Sequence, residues 1–175
     1  MNHRYLQKFQ IKDVVFLAIM SAVALATCAV MPLVISLQPL IFGISQLVTA
    51  LQIGVFFAIG LYKVRKPGSL LIMALMMGLI QLMMSPPMFL SSVLNGILIE
   101  LIVLLLFRGY EKDAAVFVAA MLHTPLSLPF NYLYNRLIKG ADSPLAAVAD
   151  RAPLAAVGMT LAVVAVSALG ALIGI

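Results

Sequence analysis

The sequence is short of charge. Asp, Glu, Lys and Arg make up 10% of the 175 residues, and neither they nor His occur between residues 14 and 62 or between 67 and 99. With 64% hydrophobic residues against roughly half in soluble domains, this excludes a soluble domain of any size. Cysteine occurs once, as Cys28, which excludes an intrachain disulfide and leaves a small packing residue. The two histidines, His3 and His123, are too few for a fixed multi-histidine metal site. There is no GxxxxGK(S/T) phosphate loop, so any ATP hydrolysis belongs to another protein. The absence of HExxH and GxSxG argues against the familiar zinc-protease and serine-hydrolase chemistries.

What is present is a set of membrane-sized apolar runs. The first uncharged gap is too long for one crossing of roughly 20 residues and about right for two. Pro32 and Pro39 bracket the polar Ser36-Leu37-Gln38, where one helix ends and the next begins. Ser85-Pro86-Pro87 divides the next apolar region in the same way. The expected spans are 14–35, 40–62, 68–84, 88–107, 114–134 and 153–175, forming one all-α domain over residues 1–175. The N-terminal run is too long for a secretory signal and lacks a small-residue cleavage site, so it reads as an uncleaved first helix.

Paired spans return the chain to its starting side. The N-terminus and the loops at 63–66 and 108–113 then share one face and hold eight of the eleven basic residues: Arg4, Lys8, Lys12, Lys63, Arg65, Lys66, Arg108 and Lys112. By the positive-inside rule this face is cytoplasmic, with both termini inside. Tyr5, Tyr62 and Tyr110 fall at inner span ends, and Tyr132 and Tyr134 at an outer one.

Polar residues within spans usually face a bundle interior or a cavity. Ser45, Gln46, Thr49 and Gln52 lie on one helical face, where they either line a cavity or join helices by hydrogen bonds. His123-Thr124-Pro125 and Ser127-Leu128-Pro129 are expected to break the fifth span partway, followed by Asn131, Tyr132 and Asn135 at its outer end. His123 reads as a ligand to a metal-containing solute, as a hydrogen-bond donor to substrate, or as a satisfied core histidine. Met73, Met76 and Met77 read as gap fillers. Gln81, Met83, Met84, Met88, Ser91, Ser92 and Asn95 sit nearer the outer mouth and are cavity candidates. Thioether and imidazole both ligate haem iron. Glu100 has no basic partner at its depth, so it is expected to be protonated, hydrogen-bonded to another helix, or placed at a protein interface.

On the first span Ala18, Ala22 and Ala26 recur every four residues, a smooth strip that another helix can approach closely. With Ala18-Ile19-Met20-Ser21-Ala22, Arg65-Lys66-Pro67-Gly68 and Asn95-Gly96-Ile97-Leu98-Ile99-Glu100-Leu101, the chain resembles the substrate-binding S components of energy-coupling factor (ECF) transporters. These are six-helix vitamin-uptake proteins with both termini inside. The resemblance covers the whole chain in topology and is specific only in these stretches.

The resemblance implies a transport subunit, not an enzyme, in the bacterial cytoplasmic membrane. It implies that Ala18, Ala22 and Ala26 dock on a T component, that two cytoplasmic ATPase subunits use the ATP, and that toppling releases the substrate inward. No intrinsic cofactor or nucleic-acid partner is expected. The expected substrate site is Gln46, Thr49, Gln81, Met84, Met88, Ser92, Asn95, His123, Asn131, Tyr132 and Asn135. Thiamine members carry a signature containing Trp, which this chain lacks. Met1-Asn2-His3 resembles the start of nickel and cobalt members, but it lies on the cytoplasmic side. A weakly charged pocket with several Met and one His suits a tetrapyrrole such as haem or a cobalamin, with His123 a possible iron ligand. The alternatives are another vitamin or precursor, or a self-sufficient carrier that couples to protons through Glu100.

Overall fold

The computed structural model describes residues 8–28, 34, 36–37, 40–83, 85–138 and 143–175, where all regular structure is helical. The helices are α1 (Ile11–Thr27), α2 (Ile44–Lys63), α3 (Ser69–Leu82), α4 (Pro86–Phe107), α5 (Asp113–Ile138), α6 (Pro144–Arg151) and α7 (Pro153–Gly174). Four of them, α2, α4, α5 and α7, are long and apolar enough to cross a bilayer. The chain is therefore an all-α, multi-pass membrane protein. At 1.5 Å per residue, α1 and α3 reach only about 25 and 21 Å, against a hydrocarbon core of about 30 Å. Both are shorter than the expected spans. Most of the stretch expected to finish the first span, with Pro32, Gln38 and Pro39, lies outside the described residues.

Local chemistry moves several boundaries. α2 starts at Ile44, later than expected, because its N-cap Gly43 takes φ 78°. A Cβ at Gly43 would stand 3.0 Å from both Leu128 Cδ2 and Met159 Cγ, so a side chain there is strained and crowded. α4 starts earlier than expected because Pro86 and Pro87 occupy its first turn, where a missing N–H leaves no helical bond unmade. α6 was not anticipated.

The expected break in α5 does not occur. Pro125 and Pro129 lie inside one continuous helix. Proline at 125 leaves the Met121 carbonyl, four residues back, without its helical donor. The Ser167 hydroxyl of α7 supplies one at 2.9 Å, so the neighbouring helix repairs the ladder.

α2 is the central helix, packed against α7, α5 and α1, while α3 packs on α1 and α4, and α4 on α5. The α2–α7 seam is built from small residues. A Cβ on Gly170 would stand 2.5 Å from the Leu51 carbonyl oxygen, and one on Gly54 2.9 Å from that of Ser167; Gly174 meets Val55 and Ala58 in the same way. Beside the seam lies a core of Leu17, Phe57, Leu61, Leu70, Met73 and Ile99. Met73 and Met77 are buried there, and Met76 is half-buried.

At one end the three basic segments meet. Lys66 Nζ donates to the Lys8 carbonyl at 3.0 Å and to Asp13 at 2.6 Å. Arg65 reaches the Glu111 carbonyl at 2.8 Å and Asp113 at 2.6 Å. The bond from Lys66, followed by the Gln10 N–H, holds the Asp13 carboxyl below its ordinary pKa.

Candidate functional site

Glu100 belongs to this basic end. Its carboxylate accepts from the Gly68 N–H at 2.6 Å, at the N-terminus of α3, and from the Tyr110 hydroxyl at 2.9 Å. Four unbonded N–H groups and a partial positive charge at a helix start suit an acidic side chain, and Gly68 at φ 93° brings the backbone to it. Burial, and then the nearby carboxylate, push the Tyr110 phenol well above its ordinary pKa, so it remains a donor. Of the expected states, hydrogen bonding across helices is the one found.

The opposite end is polar inside. Gly43 lies against Leu128, and Phe57 against His123, so α2 and α5 run antiparallel, with the Phe57–His123 contact near mid-length. On α2, Ser45, Gln46 and Thr49 are buried. Ser45 donates to Gln46 Oε1 at 2.8 Å, and Thr49 to the Ser45 carbonyl at 2.9 Å. Gln52 Oε1 is buried without a partner among the described residues. On α4, Ser92 donates to the Ala74 carbonyl at 3.1 Å, joining α4 to α3. Asn95 is buried against α5, where its amide donates to the Leu126 carbonyl and accepts from the Ser127 N–H, both at 3.3 Å. Gln81 and Met88 are half-buried near the α3–α4 turn, and Met84 lies outside the described residues.

His123 is 4% exposed, and its ring centroid lies 4.3 Å from that of Phe57. Neither ring nitrogen has a hydrogen-bond partner among the described residues, nor does Thr124 Oγ1 beside it. No cluster of His, Cys, Asp or Glu suited to a metal ion occurs among the described residues.

Farther out, Asn131, Tyr132 and Asn135 help to fasten α6 to α5. Tyr132 donates to Asp150 Oδ1 at 2.7 Å, and Arg136 bridges the Tyr132 hydroxyl and Asp150 Oδ2 at 2.7 and 2.6 Å. Asn135 donates to the Asn131 carbonyl at 2.8 Å and accepts from Ser143 at 3.0 Å. Beside this strap a cavity of about 260 Å³ is lined by Leu40, Ile41, Phe42, Ala155 and Met159.

α1 has two faces. Leu17, Ser21 and Ala24 point into the core, and Ser21 donates to the Met73 carbonyl of α3 at 3.1 Å. Val15, Ile19, Ala22 and Ala26 point outward, with Val15 50% and Ile19 51% exposed, while Ala18 is half-buried. Residues 11–175, which carry all of these features, match the profile of a family described as hypothetical bacterial integral membrane protein (Trep_Strep). The chain belongs to the Trep_Strep family. No curated protein and no solved structure matches it.

Sequence reasoning missed four residues of this Trep_Strep chain: Phe57, Thr124, Arg136 and Asp150. Phe57 and Thr124 carry no local signal. Arg136 and Asp150 carry no pattern that pairs them, since the short helix that brings them together was not foreseen. Their pairing is exposed, so Asp150→Asn is expected to leave the global unfolding midpoint close to that of the wild type. Its local effect is larger: backbone hydrogen exchange in α6 should rise several-fold while α2 and α5 stay protected.

Proposed function

We propose that the chain is the membrane-embedded S component of an ECF-type importer in the bacterial cytoplasmic membrane. It crosses six times, with both termini inside, and binds a vitamin or cofactor-like molecule from outside. A T component and two cytoplasmic ATPase subunits then drive its release inward. The meeting of the N-terminal stretch, the α2–α3 loop and the α4–α5 loop at one end supports six crossings, because α1 and α3 must each carry the chain away from that end.

The observation that carries the reading is the outward stripe of α1. Ala22 and Ala26 are exposed and stand next to Val15 and Ile19, with no charge among them. Small residues let a partner helix approach closely. Ala22→Leu with Ala26→Leu is therefore expected to leave folding intact, since neither side chain enters the core. It should reduce capture of the T component from co-expressing cells at least tenfold. Unchanged capture, measured by quantitative pull-down from detergent extracts, would remove the docking surface.

Two expectations shift in weight. A tetrapyrrole needs a slot beside His123, whereas that ring is packed on Phe57, and the 260 Å³ cavity is small and lies against other residues. Ligand sites for drug-sized molecules run to about 300–1,000 Å³. The geometry favours a smaller substrate, and a Soret band in the purified protein, lost in His123→Ala, would restore haem. The self-sufficient carrier relied on Glu100, which is committed to the start of α3. Uptake that stops with a protonophore and continues without partner subunits would favour the carrier.

A further inference from the structure

We propose that His123 and Thr124 recognise an uncharged group of the substrate that both donates and accepts hydrogen bonds, of the amide or lactam class. This rests on the reading that the chain binds a substrate taken from outside. Three polar atoms on two adjacent residues, Nδ1 and Nε2 of His123 and Oγ1 of Thr124, are buried and have no partner among the described residues. The residues are 4% and 3% exposed. Native interiors pair about 90% or more of such groups, and each one left open costs about 1–3 kcal/mol. Three neighbouring side chains are paired: Ser127 donates to the Thr124 carbonyl, Asn95 binds the α5 backbone, and Ser167 bonds the Met121 carbonyl. Among the described residues, Gln52 Oε1 on α2 is the other buried side-chain atom left open.

The chemistry of the open atoms restricts what completes them. A neutral imidazole presents one donor and one acceptor, and a hydroxyl presents both. A carboxylate or phosphate only accepts and an ammonium only donates, so neither completes the set. Any charge here would also be unpaired at membrane depth. The described ion pairs lie at the two ends of the bundle, Lys66–Asp13 and Arg65–Asp113 at one and Arg136–Asp150 at the other. A cis-amide edge carries N–H and C=O side by side. Phe57, at 4.3 Å, backs the imidazole and fixes its orientation before binding.

The test is thermal unfolding of the full chain in lipid nanodiscs with millimolar uracil, xanthine or lumazine, and with acetate and choline as charged probes. At least one lactam is expected to raise Tm by several degrees, and the charged probes by none. His123→Phe and Thr124→Val are each expected to raise the Tm of the ligand-free protein, by removing open polar atoms, and to abolish the lactam shift. Leu133→Ala, on the exposed side of α5, should keep it. The proposal is overturned if no lactam shifts the wild type, if the shift survives both variants, or if acetate or choline matches it. A buried water alone at the site gives the first of these results. T-component capture does not depend on these residues, so its persistence beside a negative result removes the lactam assignment alone.

Discussion

Glu100→Ala is expected to destabilise the protein by about 3 kcal/mol, the largest loss from any single truncation at the basic end. The carboxylate is 6% exposed and serves two elements at once, the Gly68 N–H that opens α3 and the Tyr110 hydroxyl that closes the α4–α5 loop. Removing it leaves a buried phenol and a helix start without an acceptor. Glu100→Gln keeps one acceptor oxygen and should lose less than half as much. Tyr110→Phe tests the other bond, with an expected loss of about 1 kcal/mol, because it removes the donor and leaves the Gly68 contact in place. Thermal or urea unfolding in nanodiscs reads all three. A Glu100→Ala protein as stable as the wild type would mean that α3 starts without help from α4.

A second large effect is expected at the α2–α7 seam. Gly170→Leu is expected to cost more than about 3 kcal/mol and to prevent recovery of folded protein from membranes. Its Cβ alone would stand 2.5 Å from the Leu51 carbonyl oxygen, an atom of the α2 backbone that cannot swing aside as a side chain would. Gly158→Leu is the matched control, because a Cβ at Gly158 meets nothing within 4 Å. Size-exclusion profiles and unfolding midpoints of the two variants separate a seam effect from a general effect of leucine on α7. Equal behaviour would show that α7 does not need its close approach to α2.

Much of this architecture was legible because charge and proline are sparse enough to act as markers. The basic clusters foretold which loops meet, and the ion pairs of Lys66 and Arg65 join those same segments. The prolines were legible only in part. Pro86 and Pro87 mark a boundary as expected, but they sit inside the helix they begin, and Pro125 breaks nothing because Ser167 reaches the carbonyl it exposes. That compensation comes from a residue 42 positions later, so no local reading of α5 contains it. The seam had a signal that went unread, since Gly170-x-x-x-Gly174 is a helix-approach pattern like the alanine strip on α1. At the candidate site His123 was picked out as chemistry in an apolar span. Its partner Phe57 is one of nine phenylalanines, and only packing distinguishes it.

The basic end is cross-tied by Lys66 to Asp13, Arg65 to Asp113 and Glu100 to the start of α3, which joins α1, the α2–α3 loop, α4 and α5 in one collar. Among the described residues, the other end is tied by the exposed ion pair of Arg136 and Asp150. A bundle held in this way behaves like a clothes peg with its spring at the basic end. Helix ends far from the collar can part by small angles while the collar stays closed.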